Sequence, residues 1–388
     1  MTTLQERVDS IRQTVADRYI DRTQVVGVLF TAILAGHHAL LIGPPGTGKS
    51  LLARDVFSAF LSEGQPHFEY QVNRFTTVDE LFGLPDIQEM KAHRFIRNVK
   101  GKLPEATTAY IDEFFKASSA LGQALLALMQ ERIYYQDGVP IVSPLRSMVT
   151  SSNEIPVGDE GLAAVYDRLL IRMMVNHLDS PGEFEAFLRL SEALKNVEKI
   201  IGANPLTLDE LDVARDEVGH IPVDETAFES LTAMRTLLKE EGIVPSERRF
   251  SQLIELMKAE AWQNRDDTVT SEHIGIAENV LWIEPDHINT VRQIVRDSVN
   301  PSERKAEEYW KAVQDGWNIC DRNREQDVQA FLKKALTAQR EADRLRTSSK
   351  VEQFRSNIAK VITAAESLQQ TFKSDRLQNA LSGTNSSP

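Results

Sequence analysis

Cysteine is almost missing from this chain. Among 388 residues Cys320 stands alone, which excludes an intramolecular disulfide and any cysteine-rich metal centre and suits a reducing compartment. Positive charge is in deficit as well. The 44 Lys and Arg against 57 Asp and Glu leave a net charge of -13, which argues against a protein whose affinity comes from neutralising a phosphate backbone. Long apolar runs are absent: the longest, from Val25 to Ala35, is stopped by Gly36, His37 and His38, well short of the ~20 residues a bilayer requires. The opening MTTLQERVDS carries acids and no apolar core, unlike a signal peptide. A cytoplasmic protein without a membrane span is the expectation. Eight histidines are present, but none forms HExxH or sits with acids at ligand spacing, and His37 and His38 read as partly exposed turn residues.

What is present is an ordinary globular composition, 41% hydrophobic and 26% charged, in a chain long enough for two or three packed units. Apolar positions at helical spacing between Leu4 and Leu34 predict two helices. The first strand, Ala39 to Gly43, follows. Further β-rich runs are Phe68 to Val72, Thr108 to Asp112, Met148 to Ser152 and Met173 to Leu178, with helical segments between them at Leu51 to Leu61 and Ser118 to Gln130. Strands alternating with helices predict a doubly wound parallel sheet in an α/β domain over 1–180. Two interruptions read as insertions: the polar stretch Asp86 to Lys102, and IYYQDGVPIV, whose Asp137-Gly138 pair is a hairpin signal. Residues 181–284 read as a helical domain broken near Asn204-Pro205, Ile221-Pro222 and Val244-Pro245. A C-terminal helical region, 285–388, carries Trp310, Val313, Trp317 and Cys320 on one face and ends in a tail from Ser382 expected to be disordered.

The strongest chemical signal is Gly43-Pro44-Pro45-Gly46-Thr47-Gly48-Lys49-Ser50, followed by Leu51. It matches GxxxxGK[ST] after a predicted strand and before a predicted helix, and by average composition a chance match in such a chain is roughly a 1% event. Successive backbone N–H groups and a helix N-terminus cradle phosphates, Lys49 adds a point charge, and Ser50 offers a hydroxyl to Mg²⁺. In TAYIDE an apolar strand ends in two acids, Asp112 for the metal's water shell and Glu113 for the attacking water. Asn153, ending the run MVTSSN, stands at a strand's carboxyl end, where it could orient that water or serve as a turn residue.

GPPGTGKS, YIDE, SSNEIP and VYDRLLIR, in this order, resemble the MoxR branch of AAA+ ATPases, and SSNEIP with AAVYDRLLIR resembles its RavA subgroup in particular. The resemblance covers about the first 290 residues. It implies ATP and Mg²⁺ as ligands, an AAA+ α/β domain, a helical lid over 181–284, a helix-2 insert at about 84–101 and a hairpin before sensor 1 at about 133–142. It implies roles that spacing alone does not supply: Asn153 as sensor 1, Arg168 as an arginine finger for the next subunit with Arg172 in reserve, and Arg248 as sensor 2 with Arg249 beside it. It further implies a homo-oligomeric ring, a hexamer, and chaperone-like work on a client complex with a von Willebrand A domain protein. The compact strand-rich domain that RavA carries in its C-terminal region has no counterpart after Asp286.

Two other readings stay open. A nucleic-acid translocase or restriction-type NTPase would use Lys91, Arg94, Arg97, Lys100 and Lys102, which form a basic cluster on the insert, although the acidic total opposes it. No Asn-Lys-x-Asp motif is present, which favours ATP over GTP. A nucleotide-gated scaffold with little turnover is the third class.

Overall fold

The computed structural model describes residues 3–61, 64–155, 160–194, 205–299, 301–345 and 349–383. Contacts divide the chain into two units, 1–295 and 296–388. In the first, a capping box between Thr3 and Glu6 opens α1 (Leu4–Ala16), and Gly36 in the left-handed region closes α2 (Thr23–Ala35), as caps of these types do. The chain then enters β1 (Ala39–Ile42), buried at every position. The strands β2 (His67–Gln71), β3 (Thr108–Asp112), β6 (Ser147–Ser152) and β7 (Ile171–Met174) complete an all-parallel sheet in the order β2-β3-β6-β1-β7. β1 lies between strands reached from opposite directions, the switch point at which such sheets bind ligands beyond their carboxyl ends.

Helices α3 (Lys49–Ser58), α6 (Ser119–Gln130) and α7 (Glu160–Arg168) connect these strands. The short α4 (Val78–Phe82) and α5 (Ile87–Lys91) fall between β2 and β3, α5 within the expected insert. The second insertion is a two-stranded hairpin, β4 (Ile133–Gln136) and β5 (Val139–Val142). Its turn residues Asp137 and Gly138 both have positive φ, 49° and 77°, the backbone a two-residue hairpin turn requires. The two insertions are laced together. Arg97 N–H donates to Gln136 Oε1 at 2.8 Å, Gln136 Nε2 donates to the Arg97 carbonyl at 3.0 Å, and Asp137 N–H donates to the Phe95 carbonyl at 2.8 Å.

Helices α8 (Pro181–Leu194), α9 (Leu208–His220), α10 (Glu225–Glu240) and α11 (Glu247–Asn264) follow, then 3-10 turns over Ser271–Asn279 and α12 (Ile288–Val299). α11 packs on α2 and α9, and α9 to α12 share one core with the sheet. The unit 296–388 contains α13 (Pro301–Ile319), α14 (Glu325–Asp343) and α15 (Ser349–Gly383), closed around Val313, Val328, Phe331, Leu332, Ile358 and Ile362. The apolar face expected from Trp310, Val313, Trp317 and Cys320 packs against this core.

Three expectations need correction. The last sheet strand is not Met173 to Leu178 but Ile171–Met174, because it is in register with β1 from Ala39↔Ile171 onward. His37 and His38 are not partly exposed: they are 9% and 3% accessible. His38 Nδ1 accepts from Met148 N–H and Nε2 bonds the Met129 carbonyl, and complete burial with Arg132 alongside holds its basicity well below that of an ordinary imidazole. Ser382 and Gly383 belong to α15, since its last turn reaches Gly383; the rest of that tail, like the break at Asn204, lies outside the described residues.

Candidate nucleotide site

The turn from β1 to α3 forms the centre of the site. Gly43 lies so close to the neighbouring strand's extension that a Cβ there would stand 2.2 Å from the Val175 carbonyl oxygen. Gly48, at φ 83°, caps α3 in the left-handed region, which glycine adopts without strain. The helix N-terminus with its unpaired N–H groups is thereby aimed at the loop's concavity, the arrangement that binds phosphate. Lys49 is buried and folds back over the loop. Its ammonium donates to the Gly43 carbonyl at 2.7 Å, to the Pro44 carbonyl at 2.8 Å and to Asn153 Oδ1 at 3.1 Å. Burial lowers its pKa, opposed by the charges of Asp112 and Glu113.

Asn153, carried by the end of β6, links the loop to the acids of β3. Its Nδ2 donates to Glu113 Oε1 at 2.9 Å. Glu113 has φ 53°, a left-handed backbone unusual for a non-glycine residue and typical of functional positions. Behind it runs a second relay. Tyr110 OH lies 3.1 Å from Ser50 Oγ and 2.7 Å from Ser151 Oγ, and Ser151 Oγ donates to Asp112 Oδ1. Burial and Asp112 push the Tyr110 phenol up to about 12, so it remains a neutral hydrogen-bonding group. The Ser50 hydroxyl and the Asp112 carboxylate are hard oxygen donors at the two ends of this relay, a set that fits Mg²⁺. The ion, when bound there, would neutralise charge on the β- and γ-phosphates.

Beside the loop lies a cavity of about 780 Å³, lined by Gly46, Thr47, Gly48 and Leu51 on one side. Tyr19, Ile20, Leu178, Phe184 and Phe187 supply an apolar wall, suitable in size and character for a purine base. No motif marks these residues. The sequence shows only Phe184, Phe187 and Leu188 at helical spacing; the structure leaves all three exposed on α8, which has no fully buried residue.

The four arginines separate into two pairs. Arg172 and Arg249 are 2% and 1% accessible and engaged with backbone. Arg172 donates to the Trp282 and Tyr166 carbonyls at 2.7 and 3.0 Å and stacks on the Tyr166 ring at 3.7 Å. Arg249 donates to the carbonyls of Val280, Asp167, Leu169 and Leu170. Arg168 and Arg248 are half-buried and side by side. Both donate to Gln130 Oε1, at 3.1 and 3.3 Å, and the Arg168 guanidinium has its pKa lowered by burial and then by Arg248. Gln130 ends α6 next to Met129, whose carbonyl contacts His38 just before β1. The pair therefore stands at the amino edge of the strands, whereas Lys49, Glu113 and Asn153 stand at the carboxyl edge. The four residues of β1 separate the two by roughly 13 Å at about 3.3 Å per residue.

Two of the five basic residues of the insert, Arg94 and Arg97, are ion-paired within the chain. Arg94 pairs with Glu89, Arg97 pairs with Asp79, and Lys102 donates to the Glu80 carbonyl at 3.0 Å.

This architecture has relatives. A family model for the MoxR domain of MoxR-vWA-beta-propeller ternary systems matches residues 6–212, and an AAA lid domain model matches 226–295. Two uncharacterized proteins of Methanocaldococcus jannaschii are 31% identical over 301 residues (77% of this chain, 76% of the relative) and 33% identical over 285 residues (73% and 74%). A crystal structure of a candidate ATPase from Cytophaga hutchinsonii superposes with a TM-score of 0.58 at 20% identity, covering 76% of this chain and 94% of that one. This likeness shows the fold. No helix among the described residues is long and apolar enough to cross a membrane. With its phosphate loop, its parallel sheet and its lid in these places, the chain belongs to the MoxR family of AAA+ ATPases.

Proposed function

We propose that the chain hydrolyses ATP in a closed hexameric ring and uses the cycle to remodel or mature a partner complex in the cytoplasm, in the manner of the RavA subgroup. The α/β part, 1–180, holds the nucleotide and the lid, from 181, closes on it; the lid runs past the expected 284 to 295, and 296–388 is a separate helical region. Gly43, Pro44, Pro45, Gly46, Thr47, Gly48, Lys49, Ser50 and Leu51 bind ATP, with Ser50 and Asp112 on the Mg²⁺ side. Glu113 accepts the proton side of the attacking water, and Asn153 orients it.

One observation carries this reading: two functional groups occupy opposite edges of one sheet. Arg168 and Arg248 share Gln130 at the amino edge, away from their own loop; this supports Arg168 as a finger for a neighbour's γ-phosphate and turns Arg248, expected as sensor 2, toward the same neighbour. Two guanidiniums side by side on one amide oxygen repel each other, with Asp167 and Glu131 offsetting part of their charge, and an anion from outside stabilises the pair. A partner with a von Willebrand A domain is supported by the systems named in the family model. The pairing of Arg94, Arg97 and Lys102 with groups of the same chain weighs against nucleic acid as the substrate.

The test is a pair of variants. Lys49→Ala should lose ATP binding, and Glu113→Gln should bind ATP without turnover and trap the client for identification. Undiminished ATP affinity in Lys49→Ala would overturn the loop's assignment.

A further inference from the structure

Both carboxylate oxygens of Glu113 are engaged. Oε1 accepts from Asn153 Nδ2 at 2.9 Å, and Oε2 lies 3.2 Å from the ammonium of Lys116. A residue that polarises water must direct a lone pair at that water, and every donor it already serves lowers its power to do so. We propose that Lys116 is a positioning residue that clamps Glu113 in an unproductive orientation, and that the clamp is released through the helix carrying Arg168. The proposal rests on the reading of Glu113 as the water-polarising residue.

Local geometry supports a clamp more than a chance surface pair. Phe114–Lys116 is one turn of 3-10 helix that starts from Glu113, and Lys116 N–H donates to the Glu113 carbonyl at 2.9 Å. The side-chain pair closes a second ring over the same turn, holding both the left-handed backbone of Glu113 and its carboxylate. An exposed Lys–Glu pair at this spacing is ordinarily worth little. Here the Glu113 side chain is only 15% accessible, so the ammonium has less competition from water.

A line of polar contacts then runs Lys49–Asn153–Glu113–Lys116. Phosphate oxygens are stronger acceptors for an ammonium than the amide oxygen of Asn153, so a nucleotide draws Lys49 away and loosens one end. Lys116 holds the other end.

Release of that second end has a mechanical route. Phe115, inside the turn, meets Tyr166 edge-on at 5.7 Å, and Phe114 meets Phe115 in the same manner at 5.3 Å. Tyr166 sits two residues before Arg168 on α7, and its ring is held at the far end by its hydroxyl, which donates to the Ile283 carbonyl at 2.8 Å and leaves the end on α7 to move with the helix. A shift of α7 when Arg168 takes up an anion therefore pushes on the turn that carries Lys116. Two sites biasing one small element is the physical content of coupling between them.

Steady-state ATP hydrolysis by the full chain tests this. Lys116→Met should raise kcat roughly two- to fivefold with KM unchanged, the scale of one partly exposed ion pair, and Lys116→Arg should return kcat to that of the parent. Phe115→Leu should remove cooperativity in ATP while leaving turnover measurable. A kcat in Lys116→Met that is unchanged or lower, with an active parent, overturns the clamp alone. No turnover above the Glu113→Gln level in either the parent or Lys116→Met overturns the hydrolysis reading as well.

Discussion

Arg249 and Arg248 are sequence neighbours with opposite surroundings, and substituting each in turn separates structure from function. Arg249 is 1% accessible and its guanidinium bridges four backbone carbonyls, three on the α7-to-β7 connection and Val280 next to the lid's last turns. Replacing a buried ion pair with apolar side chains can be neutral. Here the acceptors are backbone, and they stay behind in Arg249→Met. Hydrogen bonds to a charged group are worth about 1.5–3 kcal/mol each, and a carbonyl left unpaired forfeits about 1–3 kcal/mol. The Met variant in turn escapes a desolvation that Arg249 suffers: burial, with Arg172 nearby, holds the guanidinium's pKa well below the usual value. Allowing for that relief and for non-additivity, a loss of about 3–5 kcal/mol is expected. In urea this lowers the unfolding midpoint by about 1–2 M, at a slope of about 2–3 kcal/mol per M. Arg248→Ala should leave the midpoint in place and reduce turnover. A midpoint for Arg249→Met that matches the parent would refute the clasp.

Other expectations follow from particular groups. Glu260 has a buried Oε2 without a hydrogen-bond partner, and burial followed by the charge of Glu278 pushes its pKa from 4.5 to about 7. Its folded-state value exceeds that of the unfolded chain, so the native state holds the proton more tightly; its contribution to stability is greatest below about 4.5 and declines as pH rises to about 7. Glu260→Gln should flatten that decline and raise stability at pH 8 by about 1–3 kcal/mol, checked by urea midpoints across the range. Because Arg94 and Arg97 of the insert are ion-paired within the chain and the net charge is -13, DNA or RNA should not stimulate ATP turnover at any salt concentration; activation that fades with salt would restore the translocase reading.

The sheet and its loop were legible because glycine, lysine and serine at fixed spacing between a β-rich run and a helix leave few alternatives. The insertions were legible too, one from its polarity and one from Asp137-Gly138. Burial of His37 and His38 was not, since polar residues beside a glycine look like a turn, and only tertiary contacts show otherwise, those of His38 with Met129 and Met148 and of His37 with Glu255. Choosing between neighbouring arginines was equally beyond sequence: Arg168 and Arg172, like Arg248 and Arg249, are separated by which face of a helix or strand meets backbone carbonyls. The base-side wall from Tyr19, Phe184 and Phe187 left no motif because apolar contact constrains shape rather than residue type.

Placement of Arg168 and Arg248 away from their own loop is the centre of the account, and a mixing experiment tests it most directly. An Arg168→Ala subunit keeps an intact phosphate loop, and a Lys49→Ala subunit keeps both arginines. Arginine fingers contribute about 10³ to 10⁵ in rate, so each variant alone should be nearly inactive. Combined, they should regain a fraction of the parent's ATP turnover that rises with total protein concentration. Turnover in the mixture no higher than the sum of the two separate variants, with a monodisperse monomer at every concentration, would contradict it.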